Sequence, residues 1–429
     1  MTVVQPAPRA SLASRDLLEL PGIAPIGVQT VKGLRRISCA SQGCRRLDDE
    51  GLPPCPGCRI KDYRRISLYD LSAWGRPSRL DLTYSRRRCP DGGIKAELPG
   101  CVSRAWRVPV RFAEEAAIMC LEEPLAHVAR RLRVDRRWLT RFFAALIAEL
   151  TRSYRPAAAP VIGIDEAHIN TTPAVITDLT KRRLIQLVSS NREPAVAEAL
   201  RGLEGAARVE AVVIDFHRPY RRAVRAALPQ ARIVVDKRHV LDIARRRLMS
   251  LRHSLARHLP RRFVSMSARG ARRERISAML STPWERMKPA WRSRFEGLER
   301  DYPALARAYR TKDAFGRFYD CPTRAAAEQH FDAWAAKLAP EQRQRFASVI
   351  RTMAEWREEV FAYFEIAARP TAGFTESINR RLKEIAREGR GNLRNRALRF
   401  KALHRLRTLG ADEIRAAARR VVQSAPGKA

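Results

Sequence analysis

Three acidic residues give this chain its first suggestion of chemistry. Asp165 closes the apolar run of "VIGIDEAHI", Asp215 closes that of "VEAVVIDF", and Glu376 follows a glycine-containing turn in "PTAGFTESIN". An acid inside an apolar run is costly unless it is paired or binds a metal. Carboxylates brought side by side repel, and one is pushed toward protonation, unless divalent cations neutralise them. Oxygen-rich sites of that kind suit Mg²⁺ or Mn²⁺. Two such ions, roughly 4 Å apart, can activate an attacking oxygen at a phosphate and stabilise the leaving one. A third carboxylate must hold the second ion, and Glu376 is the candidate. Asp236 and His239 follow a further apolar run as Asp-Lys-Arg-His; His239 can orient an acid or a phosphate, and Asp236 can support it or simply bond a backbone amide. Glu166 reads as a neighbour rather than a ligand, His168 and His217 as packing residues, and Asp178 as a turn acid.

Elements of a particular order are needed to bring these acids together. "VIGIDEAHI" reads as a strand, "AVITDL" and "RRLIQLVSS" as a hairpin pair, and "PAVAEALRGL" as a helix. "VEAVVIDF" is again a strand, "PYRRAVRAAL" a helix, and "ARIVVDKRHV" opens with a strand. Three antiparallel strands followed by alternating helix and strand is the ribonuclease H-like order, in which the first and fourth strands are central neighbours. Asp165 and Asp215 would then meet. Between the fifth strand and the helix of Glu376 the sequence is helical and rich in arginine, an all-helical insertion; residues 241–300 hold 16 Lys and Arg against 5 Asp and Glu, as a DNA-facing surface would. Trp284, Trp291, Trp334 and Trp356 in this stretch read as helix core.

Upstream, six of eight cysteines fall within residues 39–101. In Cys55-Pro-Gly-Cys58, two thiolates two residues apart can reach one tetrahedral ion. Cys89 and one of Cys101, Cys39 or Cys44 would complete a structural zinc site; the competing reading is a degenerate knuckle held by packing. "DYRRISLYDLSAWGRPSRLDLTYSRRR" alternates as a basic ribbon of strands. In "EPLAHVARRLRVDRRWLTRFFAALIAEL" a helix with Leu125, Val128, Ala129 and Leu132 on one face precedes a second that Asp135 can cap. Trp138, Leu139, Phe142 and Phe143 then point inward, and Arg136, Arg137, Thr140 and Arg141 outward. That is a helix-turn-helix arrangement, whose second helix would enter the major groove of DNA. An αα-hairpin with a basic solvated face is the competing reading.

The whole chain is multi-domain α+β and α/β on this reading. Its expected parts are a partly ordered lead-in (1–34), a zinc-ribbon-like domain (35–105), the helix-turn-helix (106–155) and the ribonuclease H-like mixed sheet (156–242). The helical insertion (243–360), the last core helices (361–412) and a basic tail (413–429) follow. With 83 Lys and Arg against 45 Asp and Glu in 429 residues, the net charge is +38 and the pI near 11.2, a polyanion binder's balance. No membrane span or secretory signal is read, so a cytoplasmic, nucleoid-associated protein is expected.

"GIDEAHI", "VVIDFHRPYRRAVRAALPQARIVVDKRHV" and "GFTESINRRLKEIAREGRGNLRNRALRFKAL", with the upstream "CPGC" and the helix pair, resemble the bacterial DDE transposases of the ISL-three insertion-sequence family. The resemblance covers about residues 50–410. It implies that Asp165, Asp215 and Glu376 bind two Mg²⁺ or Mn²⁺ ions and that Asp236 and His239 support them. Arg380, Arg381, Lys383 and Arg387, which follow Glu376, read as holding the DNA strand beside such a site, with a solvated basic face as the competing reading. The resemblance further implies binding of the element's terminal inverted repeats, DNA cleavage and strand transfer to target DNA, and a homodimer or larger assembly. The rivals are a nuclease of the same fold without strand joining and a transposase-derived regulator without cleavage. Two departures stand out: the second cysteine pair is incomplete, and Arg238 replaces a common aromatic, a change expected to affect packing more than chemistry.

Overall fold

Alternation of apolar and basic residues through "YRRISLYDLS" builds one arm of a long hairpin. In the computed structural model, residues 20–41, 57, 59–73, 75–90, 92–169, 171–255, 276–367, 369–388 and 395–424 are described. They divide into two units, Met1–Tyr154 with Glu384–Ala429, and Arg155–Lys383. The first unit opens with β1 (Ile23–Val31), β2 (Leu34–Ser41), β3 (Arg59–Ala73), β4 (Arg76–Arg88) and β5 (Ile94–Ala96) in one sheet, ordered β1-β2-β4-β3 with β5 also paired to β4. Its core gathers Leu20, Ile23, Ile37, Leu68, Leu80 and Leu82.

Where a lead-in was expected, residues 23–31 form a strand. Pro25 and Gly27 interrupt its alternation at a register shift, and its turn residues Lys32 and Gly33 both have positive φ (49° and 73°). Lys-Gly is a weak announcement of a two-residue hairpin, for which Asn-Gly is the strong one.

A two-stranded ribbon, β6 (Val102–Ser103) with β7 (Val108–Pro109), leads into α1 (Val110–Glu122), α2 (Leu125–Leu132) and α3 (Arg136–Ser153). Arg133 ends α2 in the left-handed conformation, and Asp135 caps α3 by accepting from the Arg137 N–H at 2.7 Å and the Trp138 N–H at 3.2 Å. Leu139, Phe142 and Phe143 are buried and Trp138 half-buried, while Arg136, Arg137, Thr140 and Arg141 are exposed. At the far end of the chain α14 (Asn395–Arg405) and α15 (Ala411–Gln423) join this unit. A basic tail was expected from residue 413; the stretch is helical, with Ile414, Ala417, Ala418, Val421 and Val422 buried. The Trp106 indole N–H donates to the Val421 carbonyl at 3.1 Å.

In the second unit β8 (Val161–Glu166), β9 (Ala174–Asp178), β10 (Arg183–Val188), β11 (Ala211–Ile214) and β12 (Arg232–Val235) form a sheet ordered β10-β9-β8-β11-β12. The first three are antiparallel; β8, β11 and β12 run parallel. α4 (Glu193–Arg201), α5 (Arg218–Ala227) and α6 (Lys237–Ser254) connect and extend it. The sheet is mostly apolar, as strands covered on both faces require. Asp178, which is buried, accepts from the Thr180 and Lys181 N–H groups at 2.9 and 2.8 Å and so closes the β9–β10 turn.

Helices fill the remainder among the described residues: α7 (Ile276–Ser281), α8 (Pro289–Asp301), α9 (Pro303–Gly316), α10 (Arg324–Ala336), α11 (Pro340–Glu355), α12 (Arg357–Phe361) and α13 (Gly373–Glu388). Phe295, Phe315, Phe318, Phe346 and Phe361 are fully buried there. Trp334 and Trp356 belong to that core, and Trp284 and Trp291 pack half-buried against it. The buried Glu359 of α12 receives both Arg221 and Arg225 of α5, which ties the helical region to the sheet's own helix.

Candidate active site

Parallel pairing decides where the acids fall. Val213 of β11 lies opposite Gly163 of β8, and Ile214 opposite Val235 of β12. Two residues further along, that register puts Asp215 opposite Asp165; one residue further puts it opposite Asp236. Three carboxylates thus end three adjacent parallel strands at their carboxyl edge, where open α/β sheets place their ligands.

Their environments differ. The Asp165 carboxylate receives one donor on each oxygen: the Glu166 N–H to Oδ1 at 2.8 Å, and Asn379 Nδ2 to Oδ2 at 2.9 Å. Asp215 Oδ1 is buried with no hydrogen-bond partner among the described residues. Burial pushes the Asp165 carboxyl above the usual range; the Glu166 N–H, His239 and Arg238 pull it back, and the Glu166 charge adds to the rise. Burial also raises Asp215, against His239 and His217, with Asp165 and Glu166 adding to the rise. Glu166 is therefore part of the field at Asp215 as well as a strand residue. Its carboxylate is held by Asn191 Nδ2 at 3.0 Å and faces His168 Nε2 at 3.2 Å.

Asp236 is a bracket. Its Oδ1 accepts the Ala372 N–H at 2.7 Å, just before α13, and its Oδ2 lies 3.3 Å from His239 Nδ1. Burial pushes Asp236 up, but the His239 imidazole beside it and the Ala372 N–H prevail and hold it below the ordinary carboxylate value. The same contact raises His239 against the lowering effect of its burial. One acid thus ties the end of β12 to the start of the helix that carries Glu376.

A second tie lies on the sheet. Thr375 is fully buried, and its hydroxyl meets that of Thr177 at 2.7 Å over Gly163. A Cβ at Gly163 would stand 2.6 Å from Thr375 Oγ1 and 2.9 Å from Thr177 Oγ1. Only glycine lets α13 approach β8 this closely.

Glu376, in the first turn of α13, pairs with the guanidinium of Arg238. Arg238, where the sequence suggested a change in packing more than in chemistry, thus meets the acid of α13. Among the described residues no three acidic, histidine or cysteine side chains close around one point. The donor set nonetheless fits hard divalent cations: carboxylates raised by burial and mutual repulsion, one with a bare buried oxygen, and a third acid on an adjoining helix turn. Arg380 and Arg381 are exposed and Lys383 half-buried on α13. Sequence reasoning marked the Thr-Glu-Ser-x-Asn block but gave Thr375 and Asn379 no role, and it passed over Gly163; the spacing of Glu376 and Asn379, three apart and so on one helical face, was the available signal.

Cys55 and Cys58, like Cys44, lie outside the described residues. Gly57 between them has φ 86°, and a Cβ there would lie 3.2 Å from Pro90, so it sits beside the turn that follows Cys89. Cys89 is buried at the head of that turn, its N–H donating to the Gly93 carbonyl at 2.8 Å. Cys39 and Cys101, considered as completing ligands, are buried in the apolar core of the first sheet. Burial pushes their thiols up to about 12 and about 11.

A family model described as Transposase, for DDE enzymes of the ISL-three type, matches residues 162–402, and the chain belongs to that family. It is a transposase, a DNA-processing enzyme whose partner is DNA. No curated protein matches it. No helix among the described residues is long and apolar enough to cross a membrane.

Proposed function

We propose that this transposase binds the terminal inverted repeats of its own element and cuts and joins DNA at a ribonuclease H-like site built from Asp165, Asp215 and Glu376. The observation that carries the reading is the bare, buried Asp215 oxygen opposite Asp165 at the carboxyl edge of the sheet. Asp165 and Asp215 would jointly hold Mg²⁺ or Mn²⁺, with Glu376 completing the place of a second ion once Arg238 releases it. The ions, when bound, supply charge neutralisation and activation of the attacking oxygen, water and then a 3′-hydroxyl. His239, held beside Asp236, has its charged form favoured next to Asp215 and orients an acid or phosphate. Arg380, Arg381 and Lys383 would grip the phosphate backbone near the cut.

End recognition falls to the first unit on this reading. α2 and α3 form the helix-turn-helix, with Arg136, Arg137, Thr140 and Arg141 toward the major groove. The β3–β4 hairpin is a basic, zinc-ribbon-like arm whose knuckle uses Cys55, Cys58 and Cys89. Two ends must be handled together, so the working form is a dimer or larger.

The test is cleavage of a plasmid carrying the DNA that flanks the gene, in Mg²⁺ or Mn²⁺, by the wild type and by Asp215→Asn. Cutting at the element's ends by the wild type, reduced at least 100-fold in the variant with end binding intact, is expected. End binding without cutting by either protein would replace the reading with that of a DNA-binding regulator.

A further inference from the structure

Asn379 bonds two groups that can only accept. Its Nδ2 donates to Asp165 Oδ2 at 2.9 Å and to the Glu166 backbone carbonyl at 3.1 Å. An ionised carboxylate and a carbonyl offer no proton, so the amide's nitrogen must face them. Its Oδ1 is therefore turned away, where it is buried with no hydrogen-bond partner among the described residues. Glu166 N–H occupies one lone pair of Asp165 Oδ1 and Asn379 one of Oδ2. Each oxygen keeps a second lone pair, and the plane of the carboxylate is set from both ends.

Asn379 also stands one turn after Glu376 on α13. Its two hydrogen bonds fasten the middle of that turn to the end of β8, while Asp236 and Thr375 fasten the helix start. Rotation of Asp165 and displacement of Glu376 are thereby opposed by one side chain.

We infer that Asn379 is a positioning residue of the transposition reaction: it fixes the Asp165 carboxylate and couples its place to that of Glu376. The inference rests on the metal-binding reading of those two acids. Partners that orient a metal-binding carboxylate cost about 10- to 100-fold in metal affinity or activity when removed. Asn379→Ala removes the donor. Asn379→Asp keeps the shape but sets a third acceptor against two others, so the bond is replaced by repulsion.

The experiment measures Mn²⁺ binding by electron paramagnetic resonance, end-DNA affinity, and kcat and KM for end cleavage, on full-length wild type, Asn379→Ala and Asn379→Asp. Circular dichroism melting checks the fold. Expected are a 10- to 100-fold loss of Mn²⁺ affinity and of kcat in both variants, with KM for end DNA unchanged and far-ultraviolet spectra like the wild type. Should Asn379→Ala fail to fold, the isosteric Asn379→Asp decides. Variants that bind Mn²⁺ and cut like the wild type overturn the inference alone. Tighter Mn²⁺ binding by Asn379→Asp would make the side chain a ligand and also overturn it. A wild type that neither binds Mn²⁺ nor cuts overturns the metal reading itself, and this inference with it.

Discussion

Replacing Gly163 by alanine adds one methyl group at the place where α13 meets β8. That carbon would stand 2.6 Å from Thr375 Oγ1, 2.9 Å from Thr177 Oγ1 and 3.1 Å from Leu179 Cδ2. Non-bonded heavy atoms rest at about 3.5 Å, so the closest contact is short by roughly 0.9 Å. Neither threonine can swing clear without breaking the buried hydroxyl pair, worth about 1 kcal/mol. Overpacking of this kind costs about 1–3 kcal/mol; the smaller entropy of an unfolded alanine returns about 0.4–1 kcal/mol. The net is a loss of about 1–2 kcal/mol, or roughly 2–6 °C of melting temperature for a unit of this size. With Glu376 in the proposed site, the larger effect falls on function, because a shift of about 1 Å there can cost about 100-fold in rate. Melting curves and end-cleavage rates would be taken for Gly163→Ala, Thr375→Ala and the double variant. Removing the Thr375 hydroxyl gives the new methyl room, so the double variant should be less damaged than the sum of the singles, by about 1 kcal/mol. A Gly163→Ala protein that melts and cuts like the wild type, or strictly additive losses, refutes the claim that this contact sets the helix.

Two further outcomes follow from the charges around the site. Arg238→Gln frees Glu376, so half-maximal cleavage in a metal titration should need less Mn²⁺ or Mg²⁺. Its melting temperature should barely move, since 62% of the Arg238 side chain is exposed and the pair is screened by solvent. Asp215→Asn should melt higher than the wild type at pH 7 without metal. Because burial raises the folded Asp215 carboxyl above its unfolded value, its stabilising contribution is complete below the unfolded pKa and lost as pH rises through the folded one. The advantage of the variant should therefore shrink as pH is lowered through the carboxyl range, and Mn²⁺ should raise the melting temperature of the wild type only. Differential scanning calorimetry at several pH values checks both signs.

Much of this protein is legible in its sequence because the signals are local. Apolar runs closed by Asp165, Asp215 and Asp236 announce strand ends, since a strand can leave its acid only at an edge. Asp135 announces the start of α3 because a cap acts on amides two and three residues away. The order of strands and helices follows from periodicity, and the charge of +38 from counting. Tertiary structure decided what depends on meetings between distant residues. Asn379 reaches Asp165 across 214 positions; its spacing puts it on the face of Glu376, but nothing local says which strand residue that face meets. That Arg238 meets Glu376 is likewise set by the fold. Cys39 and Cys101 carry a metal ligand's residue type, and only the fold shows that both are buried among leucines and isoleucines. Gly163 reads as an ordinary glycine in a strand until Thr375, folded over it, leaves no space for a methyl group.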